Sequence, residues 1–176
     1  SKGEGLGNQF LANIRETDAI LHVLRCFEDP NIVHVDGSVN PVRDKEIIDT
    51  ELQLKDLETV ENRISKVQKQ AQTGGDKNAK KLYDILVKYK EVLEQGKSAR
   101  VVTFDNAEDE KLAKELYLLT NKPVMYVCNV DEASAKDGNQ FVEQVREAVK
   151  DENAQILVIA AKIESEIAEL ESYEER

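Results

Sequence analysis

Three short apolar runs constrain this chain more than anything else in it. They are Ala19–Phe27 (AILHVLRCF), Val124–Asn129 (VMYVCN) and Ile156–Ala161 (ILVIAA), each rich in Val, Ile and Leu. None alternates apolar with polar residues as a strand with one wet face does, so each reads as a strand buried on both sides. Amphipathic helical stretches surround them at Leu6–Glu16, Glu108–Thr120, Asn139–Asp151 and Lys162–Glu174. Strands alternating with helices specify an α/β fold, a parallel sheet with both faces covered. Three strands are few for a free-standing doubly wound domain, and the chain starts at Ser1 without an initiator Met. The expectation is a piece of something larger.

Between the first two runs lies a segment of another kind, residues 41–98. Asn40-Pro41 reads as an N-cap followed by Pro at the first helical position. Leu57, Val60, Ile64, Val67 and Ala71 then recur at steps of three and four, the seam of a coiled coil. Thr73-Gly74-Gly75-Asp76 breaks the helix and offers Asp76 as the next N-cap; Leu82, Ile85, Tyr89 and Val92 continue the seam, which stops near Gly96. The pattern predicts an antiparallel helical hairpin inserted into the α/β domain, its first helix about 29 residues and roughly 43 Å long. The domain boundaries expected are 1–40 for the first part of the α/β domain, 41–98 for the hairpin and 99–176 for the remainder.

Charge separates these parts. The chain has 24 Lys+Arg against 35 Asp+Glu, a net charge of −11, which taken whole argues against a nucleic-acid partner. The average conceals a split. From Arg63 to Arg100 ten basic residues face four acidic ones, a net +6, and the rest of the chain carries −17. Because fields act over only about 8–10 Å in physiological salt, the local excess is what a partner meets. Lys66, Lys69, Lys77, Lys80 and Lys81 at the distal part of the hairpin are the candidate contacts. The longest apolar runs are five or six residues, far short of the roughly 18–20 that span a bilayer, and no membrane partner is expected. The start, SKGEGLGNQF, has neither the basic nor the apolar region of a signal peptide. Cys26 and Cys128 sit inside apolar runs, which points to strand packing in a reducing cytoplasm.

Two stretches could carry chemistry. Gly3, Gly5 and Gly7 lead into a helix, where small residues permit close approach of a ligand and the helix N-terminus favours anions. The spacing is not that of a phosphate-cradling P-loop, and no such loop occurs in the chain. The second stretch is Asn129-Val130-Asp131-Glu132, at the end of the middle strand. Ligands of open α/β sheets bind outside the carboxyl ends of strands. Guanine-specific GTPases carry Asn-Lys-x-Asp there, and the Asp accepts two hydrogen bonds from guanine that adenine cannot supply. Val130 stands in place of the Lys and Glu132 in place of the Asp, which points to a relaxed or switched choice of base.

Together these features carry a family resemblance. GEGLGNQFLANIRETDAILHVLRCF, then NIVHVDG, the helical hairpin, the N-V-D-E strand end and AAKIESEIAEL resemble the Obg-type nucleotide hydrolases, and among them the YchF subfamily of Obg-like ATPases. The likeness extends over essentially all 176 residues. It implies a P-loop NTPase-like parallel sheet interrupted by a coiled coil and followed by a small TGS domain. It also implies slow hydrolysis of ATP, bound at least as well as GTP, with Mg²⁺. Asn129, the Val130 backbone and Glu132 would then read the base, and Gly3, Gly5 and Gly7 match the glycine-rich part of switch II. The P-loop, switch I and the switch II Asp-x-x-Gly should precede Ser1, and the TGS domain should follow Arg176. No metal ligand is assigned within the chain, and these residues alone are not expected to turn over ATP.

The family resembles GTPases that replace the water-orienting Gln with an apolar residue, so another polar group must orient the attacking water. His34, expected in a loop at the carboxyl end of the sheet, is the nearby side chain with an ordinary pKa close to 7 and is the catalytic candidate. His22, in the middle of the first strand, is expected to be structural. Two functions stay open: an ATPase switch whose hairpin contacts the ribosome or RNA, and a protein-docking module for which nucleotide is only a structural ligand. A guanine-specific GTPase is disfavoured by Val130 and Glu132. Oligomeric state is not legible.

Overall fold

The computed structural model describes residues 7–28, 38–73 and 75–160. Its sheet has three parallel strands in the order β1 (Ile20–Arg25), β2 (Val124–Val130), β3 (Ile156–Ala160). The register sets Leu24 beside Cys128, Arg25 beside Asn129, and Val130 beside Ala160, so all three strands finish at one edge. Leu24, Tyr126, Cys128 and Val130 form a core with Val142, Val145 and Val149 of α5 (Gln140–Val149). Asn139 starts that helix, its side chain accepting from the amides of Phe141 and Val142.

The other face of the sheet carries exposed apolar side chains in this chain. Leu21 and Val23 of β1 are 66% and 60% exposed, and Leu157 of β3 is 50% exposed. β1 thus alternates in burial although its sequence does not alternate in polarity. Apolar side chains on both faces make a strand able to be covered twice; which faces are covered depends on the elements that pack there.

The hairpin is longer than expected. α2 runs Pro41–Gln72, 32 residues or about 48 Å. Asn40 caps it, accepting from the Arg43 amide at 3.0 Å. α3, Lys77–Glu94, begins at Asp76, whose carboxylate accepts from the amides of Asn78 and Ala79. It ends on Gly96 in the left-handed region (φ +76), with the Gly96 amide donating to Leu93 and the Lys97 amide to Val92, the paired closure of a Schellman motif. The seams meet in one cluster containing Val60 and Val67 from α2 and Ile85, Leu86, Tyr89 and Leu93 from α3. The α3 stripe is wider than read: Leu86 and Leu93 are buried and Val92 only half so.

The expected helix Glu108–Thr120 is broken. α4 spans Ala107–Lys114, capped by Asn106, and a separate 3-10 turn covers Leu119–Asn121. Tyr117 lies between them at φ 51, a strained conformation for a bulky residue. α1, Asn8–Arg15, contributes Leu11 and Ile14 to a small cluster with Ile48, Leu52 and Leu119. The stretch Lys162–Glu174, expected as a helix, lies outside the described residues.

Among the described residues the chain divides into two compact units. One comprises residues 7–18 and 47–123; the other comprises 19–46 and 124–160. The first unit therefore includes α1 and α4 as well as nearly all of the hairpin.

Candidate functional site

The Asn129–Glu132 motif occupies the carboxyl end of β2, the middle strand of the sheet. Two hydrogen bonds hold the strand ends together. The Cys26 amide donates to the Asn129 carbonyl at 2.7 Å, and the Asn139 side-chain amide donates to the Cys26 carbonyl at 2.7 Å. Gly138 precedes that cap at φ +76. Beyond β2 the backbone turns at once into a 3-10 segment, Glu132–Ser134, started by the Ser134 amide donating to the Asp131 carbonyl at 3.1 Å.

The motif's side chains do different things. Val130 is fully buried in the cluster it shares with α5, main chain included. Asp131 and Glu132 are exposed. Asn129 has its side-chain oxygen withdrawn from solvent and without a hydrogen-bond partner among the described residues. Arg25, its register neighbour on β1, is in a similar state. Its Nε donates to the Phe27 carbonyl at 3.3 Å and its guanidinium lies 4.8 Å from the Phe27 ring centre, but Nη2 is buried and unpaired among the described residues. Burying a polar atom without a partner costs about 1–3 kcal/mol. Two register neighbours, one with an orphan acceptor and one with an orphan donor, thus stand at the strand ends, where such folds bind ligands. Sequence reasoning passed over Arg25; its place two residues before the end of the first apolar run was the available signal.

Cys26 and Cys128 are free and fully buried beneath the motif. Hydrogen bonding to Cys128 and burial push the Cys26 thiol up, which keeps it protonated and unreactive. His22 lies on β1 with its ring 5.7 Å from that of Tyr126. Tyr126 donates to Glu152 at 2.5 Å, and Lys45 of α2 bonds the same carboxylate at 3.1 Å, tying the first turn of α2 to the sheet unit.

Other expected site residues fare unequally. Gly3, Gly5 and His34 lie outside the described residues. Gly7 is the N-cap of α1, in extended backbone (φ −67) with open space where a side chain would stand, so local geometry does not require glycine there. Lys66, Lys69, Lys77 and Lys80 are exposed along the hairpin. Lys81 is also exposed but bonds Glu108 at 2.7 Å, which leaves it less available to a partner. Among the described residues no group of three or more His, Cys, Asp or Glu side chains is placed to hold a metal ion. No described helix is long and apolar enough to cross a membrane.

The least expected site is at the root of the hairpin. Asp56 of α2 is fully buried and accepts from the Leu119 amide at 2.8 Å, the Thr120 amide at 2.7 Å and the Thr120 hydroxyl at 2.6 Å. The same hydroxyl accepts from the Ala99 amide at 2.8 Å. Burial raises the Asp56 pKa, opposed by its bonds to Thr120 and Leu119 and by the charge of Arg15. A cleft of about 750 Å³ in this unit is lined by Asp18, Phe104, Lys114, Tyr117 and Lys122 among others, and by none of the expected site residues.

A parallel sheet with a ligand motif at its carboxyl edge and a helical hairpin spliced between two strands is the framework of a P-loop nucleotide hydrolase of Obg type. The chain is 53% identical over its whole length to the Ribosome-binding ATPase YchF of Bacillus subtilis, covering 48% of that protein. It is 48% identical over 99% of its length to the protein of the same name from Escherichia coli O157:H7, covering 47% of it. Among solved structures, that of the Schizosaccharomyces pombe YchF GTPase superposes with a TM-score of 0.79 at 32% identity, over 91% of this chain and 44% of that one. No family model matches the chain. It belongs to the YchF subfamily of the Obg-like nucleotide hydrolases, and it spans about half the length of the curated relatives it matches.

Proposed function

We propose that the chain supplies the base-reading edge and the partner-binding hairpin of a slow, cytoplasmic, ATP-hydrolysing switch that works on the ribosome. The observation that carries this reading is the half-satisfied pair at the strand ends, Asn129 Oδ1 and Arg25 Nη2. Adenine presents a donor, N6–H₂, beside an acceptor, N7, whereas the same edge of guanine presents two acceptors. An acceptor beside a donor suits adenine and would leave Asn129 Oδ1 unpaired against guanine. Asn129 and Glu132 would hold the base, with Arg25 beside them, whereas the Val130 main chain is covered in this structure. The relatives' printed names, ribosome-binding ATPase and GTPase, support a nucleotide-dependent ribosomal role without deciding the base.

Phosphate, and the Mg²⁺ that accompanies it, would be held by a P-loop, and no stretch of this sequence has that spacing. Gly3, Gly5 and Gly7 would belong to the segment that responds to the nucleotide, and His34 would orient the attacking water. His34→Ala in the full-length protein should slow turnover with little change in nucleotide affinity; an unaltered rate would remove His34 from the mechanism. The exposed Lys66, Lys69, Lys77 and Lys80, with Lys81 contributing less, would meet ribosomal RNA phosphates.

The test is competition of ATP and GTP for a fluorescent adenine nucleotide on the full-length protein, followed by multiple-turnover hydrolysis. ATP should compete at least as well as GTP, and Asn129→Ala should weaken both. A strong preference for GTP would refute the base assignment. Binding without turnover would favour the docking-module reading.

A further inference from the structure

α1 is fastened to the root of the hairpin by an unusual use of one lysine. The Lys122 ammonium has three N–H groups, and they donate to the carbonyls of Ile14 at 2.6 Å, Arg15 at 2.7 Å and Thr17. The last turn of a helix leaves its carbonyls without intrahelical donors and carries the negative end of the helix dipole. One cation answers both. The Thr17 hydroxyl adds a bond to the Ile14 carbonyl at 2.7 Å.

Lys122 is itself held by the hairpin root. Its carbonyl accepts from Arg100 Nε at 2.8 Å, just beyond the end of α3, and Thr120, two residues before it, is gripped by Asp56 of α2. Arg15 reaches across in the opposite direction, with Nη1 donating to the Tyr117 carbonyl at 3.3 Å and Nη2 to the Thr59 hydroxyl of α2 at 3.4 Å. Beneath these bonds Leu11 and Ile14 of α1 pack with Ile48 and Leu52 of α2. The carbonyl that Arg15 engages belongs to Tyr117, the residue held at φ 51, so the contact lies where the backbone is strained.

We propose that Lys122 is a positioning residue that makes α1 and the hairpin root a single mechanical body, so that a shift of α1 driven by nucleotide is expressed at the partner-binding hairpin. The regulatory half rests on the reading of the segment before α1 as nucleotide-responsive. The mechanical half does not. By linkage, partner binding at the hairpin alters nucleotide affinity by the same factor that nucleotide alters partner affinity.

The test uses the full-length protein with Lys122→Met, Lys122→Arg and Arg15→Gln. Hydrogen exchange without nucleotide reads the mechanical half. Lys122→Met should speed exchange in α1 and in residues 47–60 of α2 together, and Lys122→Arg, which keeps charged donors, should restore protection in both. Faster exchange in α1 alone would overturn the inference whatever the nucleotide does. Ribosome affinity with ATP and without nucleotide reads the regulatory half. The wild type should differ between the two states by 5-fold or more, a coupling of ordinary size, and Lys122→Met should bring the ratio close to one while the affinity for ATP stays within about twofold. An unchanged ratio in Lys122→Met overturns the transmission. Should Lys122→Met fail to fold, Arg15→Gln replaces it under the same criteria. A wild type that binds no ATP overturns the functional reading and the regulatory half with it, and the exchange result then stands alone.

Discussion

A single aspartate shows how residue-level chemistry shapes this protein. Asp56 sits four residues before Val60 on the buried side of α2, a place where periodicity alone calls for an apolar side chain. Three donors from Leu119 and Thr120 converge on it. Asp56→Ala would leave those donors buried and unpaired, and the expected loss is about 3–5 kcal/mol, read by urea unfolding. Its titration has a definite sign. The folded pKa lies above the ordinary 3.8, so between the unfolded and folded values the native state holds the proton more tightly. Stability from this group is full below 3.8 and is lost as pH rises through the folded value. The margin of wild type over Asp56→Asn should therefore widen on acidification toward 3.8; a margin that narrows would contradict the raised value. Tyr89 offers the opposite case. Burial, with the nearby Asp56 charge, pushes its pKa up, and its hydroxyl is buried without a partner among the described residues. Tyr89→Phe removes the orphan while keeping the ring against Phe104, and should leave the melting temperature unchanged or raise it by a few degrees.

Elements differ in how much of their form was legible. The hairpin was read from steps of three and four, and its caps at Asn40, Asp76 and Gly96 fall where the residue types demanded. Local geometry is sufficient there, because each cap joins residues no more than five apart. Gly96→Ala should cost about 1–2 kcal/mol by thermal unfolding, since an L side chain resists φ +76 even in the open space around it. The segment after α4 was misread for a complementary reason. Its apolar spacing continues a helix, yet Asp56 captures the amides of Leu119 and Thr120 from 63 and 64 residues away, and Arg15 takes the Tyr117 carbonyl from 102 residues away. Long-range donors and acceptors of this kind outweigh a weak local propensity.

For the whole molecule the charge split yields the clearest expectation. If Lys66, Lys69, Lys77 and Lys80 each neutralise one phosphate, the logarithm of ribosome affinity should fall with the logarithm of salt, each contact adding about 0.7–0.9 to the slope. Replacing the four with Gln should flatten it, whereas Lys81→Gln, which removes a side chain already bonded to Glu108, should flatten it less. Equal slopes before and after would place the contact elsewhere. The sequence by itself determined the parallel α/β class, the inserted hairpin, the position of its charge and the strand-end motif, since all of these follow from periodicity, caps and ordered residue types along the chain. Only the tertiary structure decided that Arg25 stands beside Asn129, that Asp56 grips Leu119 and Thr120, and that Lys122 fastens the end of α1. Those facts depend on which polar atoms meet across a hundred residues, and a linear pattern does not encode the partner of a buried donor.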